Sequence, residues 1–220
     1  MNATALILQT ESIPARSERR RLPPEIRIGQ VLDAALQVFG ERGYAAARID
    51  DIAKYAGLSK GGVYAHFESK EAIFEALLRR ALTPPNFDDM PALSSDCDLR
   101  TLATWIVDRL YAALANPTAI AVFRLMVAGG ERVPHLLIMW QRDIVQPSQQ
   151  ALADTLQARL GGAGFPSQQQ PWLIVAPAVY VLVMQTLFGD RSLRSLEECR
   201  DDHIALICTL VSNTGCGAKC

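Results

Sequence analysis

Residues 49–74 read IDDIAKYAGLSKGGVYAHFESKEAIF, and they contain two helix ends and three helix starts within 26 positions. Ile49, Ile52, Ala53 and Ala56 share one helical face, and Gly57 ends that helix by supplying the left-handed residue that side chains disfavour. Leu58 packs back, and Ser59 caps a second helix of two turns from about Lys60 to Phe67. In that helix Val63 and Phe67 turn inward while Lys60, Tyr64 and His66 face out. Ser69 caps a longer helix that runs through Ile73, Phe74, Leu77 and Leu78 to about Leu82. Two short helices joined by a tight turn, with small Ala53 where they cross, predict a helix-turn-helix.

On the N-terminal side, Ile28, Val31, Leu32, Ala35, Leu36 and Phe39 form one helical stripe that stops at Gly43. Residues 1–24, with Arg19-Arg20-Arg21 and Pro23-Pro24, lack periodicity and are expected to be a disordered arm. On the C-terminal side, Thr83-Pro84-Pro85 marks the boundary of a compact unit over 25–82. Every readable segment beyond it has a helical period: about 99–115, 118–128, 134–160 with a kink at Pro147, 171–188 and 195–211. The expected architecture is all-α, with a three-helix DNA-binding unit of helix-turn-helix type and its supporting helix over 25–82. A larger helical domain follows over 83–212, and residues 213–220 are expected to be a flexible tail.

The charge balance narrows the function. The chain of 220 residues has 22 Lys plus Arg against 23 Asp plus Glu, a net charge of -1, which excludes a polycation that holds nucleic acid by bulk charge. Residues 1–82 carry 12 basic and 10 acidic side chains, so any contact with DNA must be local and belongs in this part. Five cysteines, Cys97, Cys199, Cys208, Cys216 and Cys220, lack the spacing of a disulfide framework, and a reducing compartment, the cytoplasm by default, fits better. The apolar run Trp172 to Phe188 is just short of the roughly 20 residues that span a bilayer and has Pro177 in its middle, so a doubly buried helix, in a core or between subunits, is expected and no membrane partner.

In a helix-turn-helix the second helix enters the major groove, and its first turn must let backbone approach phosphate closely. Gly61-Gly62 permits that approach, although each glycine costs a helix about 1 kcal/mol relative to Ala. Lys70 follows the Ser69 cap, where its charge opposes the positive helix end; a phosphate there would reverse the penalty, and a merely solvated ammonium is the alternative. Tyr64 reads equally as a core aromatic with a wet tip, and His66 as a capping or surface residue.

Gly43-Tyr44 followed by residues 51–72 closely resembles the DNA-binding domain of the tetracycline-repressor (TetR) family of bacterial transcription regulators. The resemblance implies an all-helical homodimer whose C-terminal domain takes a small effector and whose last two helices build a four-helix dimer interface. It also implies DNA contact by Lys60, Tyr64, His66 and Lys70, with Gly61 and Gly62 opening the recognition helix. Two positions depart from the family pattern. Arg48 stands where a Ser or Thr usually caps the preceding helix and touches phosphate, and Arg48 can still reach one. Gly62 stands where a Thr often lies near the bases, so preference must come from neighbours or DNA shape.

In the C-terminal region Trp105, Tyr111, Phe123, Met126, Met139, Trp140, Tyr180 and Met184 have helical spacings compatible with an interior face. Core packing accounts for them, and so does a ligand pocket; the effector candidates are Trp105, Arg109, Met126, Trp140 and Tyr180, with His135 and Gln141 as further polar members. Cys199, His203 and Cys208 share a helix and suggest either a soft-metal or redox site or buried packing. No fourth ligand completes a site, so no metal and no cofactor is expected, and Cys216 and Cys220 are exposed-thiol candidates. Enzyme signatures such as GxSxG, a P-loop or GxGxxG are missing from the sequence. The expected function is a repressor released from a palindromic operator by a small apolar or aromatic ligand; the alternatives are an architectural DNA-binding protein without an effector and, more remotely, an enzyme with a pocket among the C-terminal helices.

Overall fold

The computed structural model of the chain describes residues 23–92, 94, 98–159, 171–191 and 194–212, and every regular element among them is helical. The N-terminal arm, the loop at 161–170, Cys97 and the tail holding Cys216 and Cys220 lie outside the described residues.

Ten α-helices follow one another: α1 (Pro24–Ala46), α2 (Ile49–Tyr55), α3 (Lys60–Tyr64), α4 (Lys70–Ala81), α5 (Leu99–Leu114), α6 (Pro117–Gly129), α7 (Pro134–Trp140), α8 (Gln146–Arg159), α9 (Trp172–Phe188) and α10 (Leu196–Ser212). Local chemistry fixes their starts. Asp98 accepts from the Thr101 amide at 2.7 Å, Asn116 from Thr118 at 2.9 Å, and Ser195 and Glu198 close a reciprocal capping box at 3.1 and 2.8 Å. Gly43 is left-handed (φ 74°), as predicted, but the chain resumes one more helical stretch to Ala46 beyond it.

The helix expected over 134–160 is divided, though not by a kink at Pro147. Residues 141–145 form a π-turn in which the Gln146 amide reaches back five residues to the Gln141 carbonyl. Pro147 has no amide to give, and its ring would press on the carbonyl of Asp143 four residues earlier. The wide turn spans that carbonyl and absorbs the mismatch before α8 begins.

Two apolar cores result. The first joins α1–α4 around Val31, Phe39, Ile52, Val63, Phe74 and Leu77, and it also takes Val122 and Leu125 from α6 together with Val133 and Leu136. Phe39, Tyr44 and Phe74 meet there at ring-centroid separations of 5.1 to 6.0 Å, each pair contributing about 0.5–1.5 kcal/mol beyond area burial. The second core joins Phe87 and Met90 to α5, α8, α9 and α10. Helix α6 lies between them, packing on α1 and α4 on one side and on α5 and α9 on the other. Among the described residues no single helix is long and apolar enough to cross a membrane.

Candidate functional site

The turn between α2 and α3 is built as the sequence predicts. Gly57 is left-handed (φ 65°), its amide bonds to the Lys54 carbonyl at 3.2 Å, and the Leu58 amide bonds to Ala53 at 2.9 Å. This double closure is a Schellman motif, and it fixes the angle at which α3 leaves α2. The Ser59 hydroxyl then accepts from the Gly62 amide at 3.1 Å. Helix α3 is shorter than the sequence suggests, ending at Tyr64, with Phe67 just beyond it bonded back to the Val63 carbonyl at 3.0 Å.

Val63 and Phe67 are buried while Lys60, Gly61 and Tyr64 are exposed and His66 is half-buried, so α3 presents a polar, aromatic outer face. Nothing inside the fold demands its glycines. Neither has positive φ, and a Cβ would come no nearer than 3.9 Å to any neighbour at Gly61 and 3.4 Å at Gly62. A residue pair that weakens a short helix and satisfies no internal need is explained by a surface that must be approached closely from outside.

Around this face the charges are arranged in exposed pairs. Lys60 contacts Asp50 at 3.0 Å and Arg42 contacts Asp51 at 2.8 Å, and such pairs contribute about 0–1 kcal/mol, so a phosphate can draw Lys60 from its carboxylate. Arg48 occupies the N-cap of α2 without a side-chain cap bond and is exposed.

Lys70 is placed differently from the expectation. Its ammonium donates to the carbonyls of Tyr44, Ala45 and Ala47 at 2.8, 3.3 and 3.0 Å, and it stands 4.6 Å from the centre of the Tyr44 ring. The misfit of a cation at the start of α4 is thereby resolved within the protein. The carbonyls that end α1 supply the negative partner, and all three ammonium donors are engaged. Lys70 positions α4 against α1. Next to it, Glu71 is held below the usual carboxylate range by backbone hydrogen bonding at the helix start, with Tyr44 and Ser69 adding to it.

The C-terminal helices enclose an apolar cavity of about 200 Å³ beside the end of α4. Its wall combines Leu82 to Pro85 with Phe87, Leu110, Phe123, Trp140, Val175 and Leu182, and no charged residue lines it. Of the five effector candidates only Trp140 is there. Trp105 packs on Phe87 at a centroid distance of 6.2 Å, with Arg109 stacked 4.3 Å above its ring and ion-paired with Asp89. Met126 is half-buried against the first core, and Tyr180 is exposed on α9. His135 and Gln141 are exposed and line no part of this cavity. Sequence reading missed the Leu82–Pro85 segment as a wall, because a proline pair marks a chain boundary in sequence and shows its apolar rings as lining only once the helices around it are placed.

Tyr180 belongs with Val179, Leu187 and Phe188 on α9 and Leu196 and Leu206 on α10, all exposed apolar side chains. Inside the α5–α9–α10 core, His203 is 1% exposed and its Nε2 is 2.9 Å from the Ile174 carbonyl. A carbonyl only accepts, so Nε2 carries the proton, and burial holds the imidazole below its ordinary pKa. The neighbouring Tyr111 hydroxyl is pushed up to about 12 by burial. Among the described residues no group of three or more His, Cys, Asp or Glu is placed to hold a metal ion.

Comparison with known proteins joins these features. Residues 31–77 match the family model of bacterial regulatory proteins, tetR family. The chain is 50% identical over 72 residues to the HTH-type transcriptional activator FasR of Mycolicibacterium smegmatis, a match covering 32% of this chain and 33% of that protein. It is 32% identical over 109 residues to the HTH-type transcriptional repressor KstR2 of Rhodococcus jostii, covering 49% and 50%. The matched parts thus span between a third and a half of these curated relatives. A putative TetR-family regulator from Mesorhizobium loti superposes over 88% of this chain and 98% of its own with a TM-score of 0.65 at 21% identity. One from Pseudomonas syringae does so over 87% and 97% with a TM-score of 0.60 at 18% identity, likenesses that extend the shared fold through the C-terminal helices. Residues 31–77 thus carry the DNA-binding segment of the tetR family of bacterial regulatory proteins, and the helices beyond them share the fold of solved structures of regulators of that kind.

Proposed function

We propose that the protein is a DNA-binding transcription regulator that works as a homodimer, a repressor released from a palindromic operator by a small apolar ligand. The observation that carries the reading is α3: a capped helix on a fixed turn, exposing Lys60 and Tyr64 beside two glycines that the fold itself does not require. Lys60, Tyr64, His66 and Arg48 are the DNA-contacting side chains in this reading, with Gly61 and Gly62 admitting the backbone to the groove. Lys70 serves by holding α4 and α1 together. TetR-family regulators are DNA-binding proteins rather than enzymes, and no catalytic role is assigned. A regulator of bacterial genes acts in the cytoplasm.

Dimerisation is supported by the apolar side chains left uncovered on α9 and α10. Two copies joined there would present two α3 helices to half-sites roughly 34–36 Å apart or a multiple of that spacing, which a helix as short as α3 needs in order to bind with useful affinity. The effector site is the cavity beside α4, whose uncharged wall favours an apolar ligand.

The test is binding of the purified chain to DNA from upstream of its own coding region. A dimer is expected to protect an inverted repeat there, and Tyr64→Ala or Lys60→Ala to weaken protection without unfolding the protein. A monomer in light scattering that still binds DNA tightly would refute the dimer. Ligands that occupy the cavity and never change DNA affinity would instead favour an architectural protein without an effector.

A further inference from the structure

We propose that the groove between α9 and α10 is a second ligand site, sharing no wall residue with the cavity beside α4, and that it takes a chain-like organic acid bearing a hydroxyl. The inference does not depend on the cavity being the effector site.

The groove has a volume of about 660 Å³, within the roughly 300–1,000 Å³ of ligand sites. One wall is the stripe Tyr180, Met184 and Phe188, which recur every fourth residue on α9, and the other is Leu196 and the half-buried thiol of Cys199 on α10. At 1.5 Å per residue the stripe is about 12 Å long, an apolar track for an extended chain. Arg191 and Arg194 also line the groove, and both lie where the chain passes from α9 to α10, so positive charge is gathered at one end of the track. The left-handed Gly189 (φ 56°) ends α9, and the short turn Gly189–Arg191 keeps Arg191 on the groove.

Both guanidiniums are available to an anion. Arg191 is exposed and has no carboxylate partner among the described residues, and Arg194 is paired with Asp202 at 2.6 Å in a pair exposed on both sides and therefore weak. Glu198 is committed to the α10 cap, accepting from the Ser195 amide at 2.8 Å. Gln185 lines the groove as well, and its Oε1 is buried without a hydrogen-bond partner among the described residues. A buried acceptor left unmet is costly, and a hydroxyl on the ligand supplies the donor.

These polar groups separate a small ligand from the other occupant, a second copy of the chain. Trp172 and Leu187, exposed roughly a quarter-turn round α9 from the groove stripe, and Leu206 on α10 do not line the groove and remain for a partner subunit. An apolar face laid over the groove would leave the Gln185 oxygen unmet and cover a guanidinium without a counter-charge, whereas a hydroxy acid meets both.

The probes are 3-hydroxyoctanoate, octane-1,3-diol, which has the same chain and hydroxyl without the carboxylate, and 3-hydroxybutanoate, which has a shorter chain. Calorimetry on the whole chain reads affinity, and alkylation of Cys199 by iodoacetamide, followed on its own peptide by mass spectrometry, reads the place. Saturating 3-hydroxyoctanoate is expected to slow alkylation of Cys199 at least about fivefold, with half-protection at the calorimetric Kd. The diol and the short acid are expected to bind at least about tenfold more weakly, the first for want of a charge and the second for want of apolar length. Arg191→Gln combined with Arg194→Gln, both exposed positions, is expected to bring the acid down to the affinity of the diol and to leave the diol unchanged.

Equal affinity of acid and diol for the wild type, or binding of the acid without protection of Cys199, would overturn the site. Protection of Cys199 that rises with protein concentration and ignores the acid would overturn it as well, by giving the groove to the partner subunit.

Discussion

The two cores of this molecule solve opposite problems. Around α1–α4 the interior is closed: Phe39 and Phe74 are fully buried, the α2–α3 turn is doubly hydrogen-bonded, Ser59 and Ser69 cap their helices, and Lys70 ties α4 to the end of α1. Around α5–α10 there is a cavity, a π-turn, a proline within α9 and a buried histidine. The contrast is that of a reading head held in one shape and a body built with room to change. Positions that leave no slack are found around the helix-turn-helix, and looser packing is found around the cavity that the proposed function takes as the effector site.

The comparison breaks most visibly if removal of a large side chain has the same effect in both halves. Phe74→Ala is expected to destabilise by about 3–5 kcal/mol, whereas Phe123→Ala, half-buried on the cavity wall, should destabilise by about half of that or less; urea unfolding of both variants provides the measurement. Equal effects would mean that the cavity wall is as tightly packed as the first core.

Lys70→Ala comes next. Three carbonyls at the end of α1 are left without their donor, and a drop of about 1–3 kcal/mol in stability is expected together with weaker DNA binding. A variant of unchanged stability and a lowered salt slope for DNA would return Lys70 to direct phosphate binding.

The second core should also respond to pH through His203. Burial lowers its folded-state pKa below the ordinary 6.5, so the unfolded chain takes up the proton first as pH falls. Stability should therefore be level above about pH 7.5 and decline below the ordinary value, by up to about 1.4 kcal/mol per pH unit until the folded-state pKa is reached. Thermal unfolding at a series of pH values follows the decline, and His203→Gln should flatten that part of the profile.

The smallest effect on stability sharpens the comparison at the DNA face. Lys60→Ala is expected to change stability by less than about 0.5 kcal/mol, because its partner Asp50 is equally exposed, yet to reduce the log-log salt dependence of DNA binding by about 1 for each phosphate that the ammonium no longer neutralises. Unaltered salt dependence would remove Lys60 from the interface.

The reading head is also the more legible half. Gly57, Ser59 and Ser69 act locally, through bonds to residues at most five positions away, and a sequence displays such relations directly. The role of Lys70 is hidden in the sequence because its partners lie 23 to 26 residues earlier. Four of the five effector candidates miss the cavity for a related reason: periodicity shows that Trp105, Met126 and Tyr180 sit on apolar faces, but not which neighbour each face meets. Arg109 lies over Trp105, and Tyr180 lies on an outer face of α9. The Pro147 region shows the same limit, since the proline is visible in the sequence and its accommodation by a π-turn depends on the preceding residues.

The sharing of α6 between the two cores bears on how such a protein is assembled and recombined. A ribosome that has delivered α1–α4 has not yet supplied Val122, Leu125, Val133 and Leu136, so the DNA-reading unit cannot complete its interior until more than fifty further residues have emerged. The same dependence means that the unit is not a detachable cassette. A chimera joined at Pro84-Pro85 would inherit the reading helix without four of the side chains that cover its core, whereas a graft that carries α6 and α7 along would take its own lining with it.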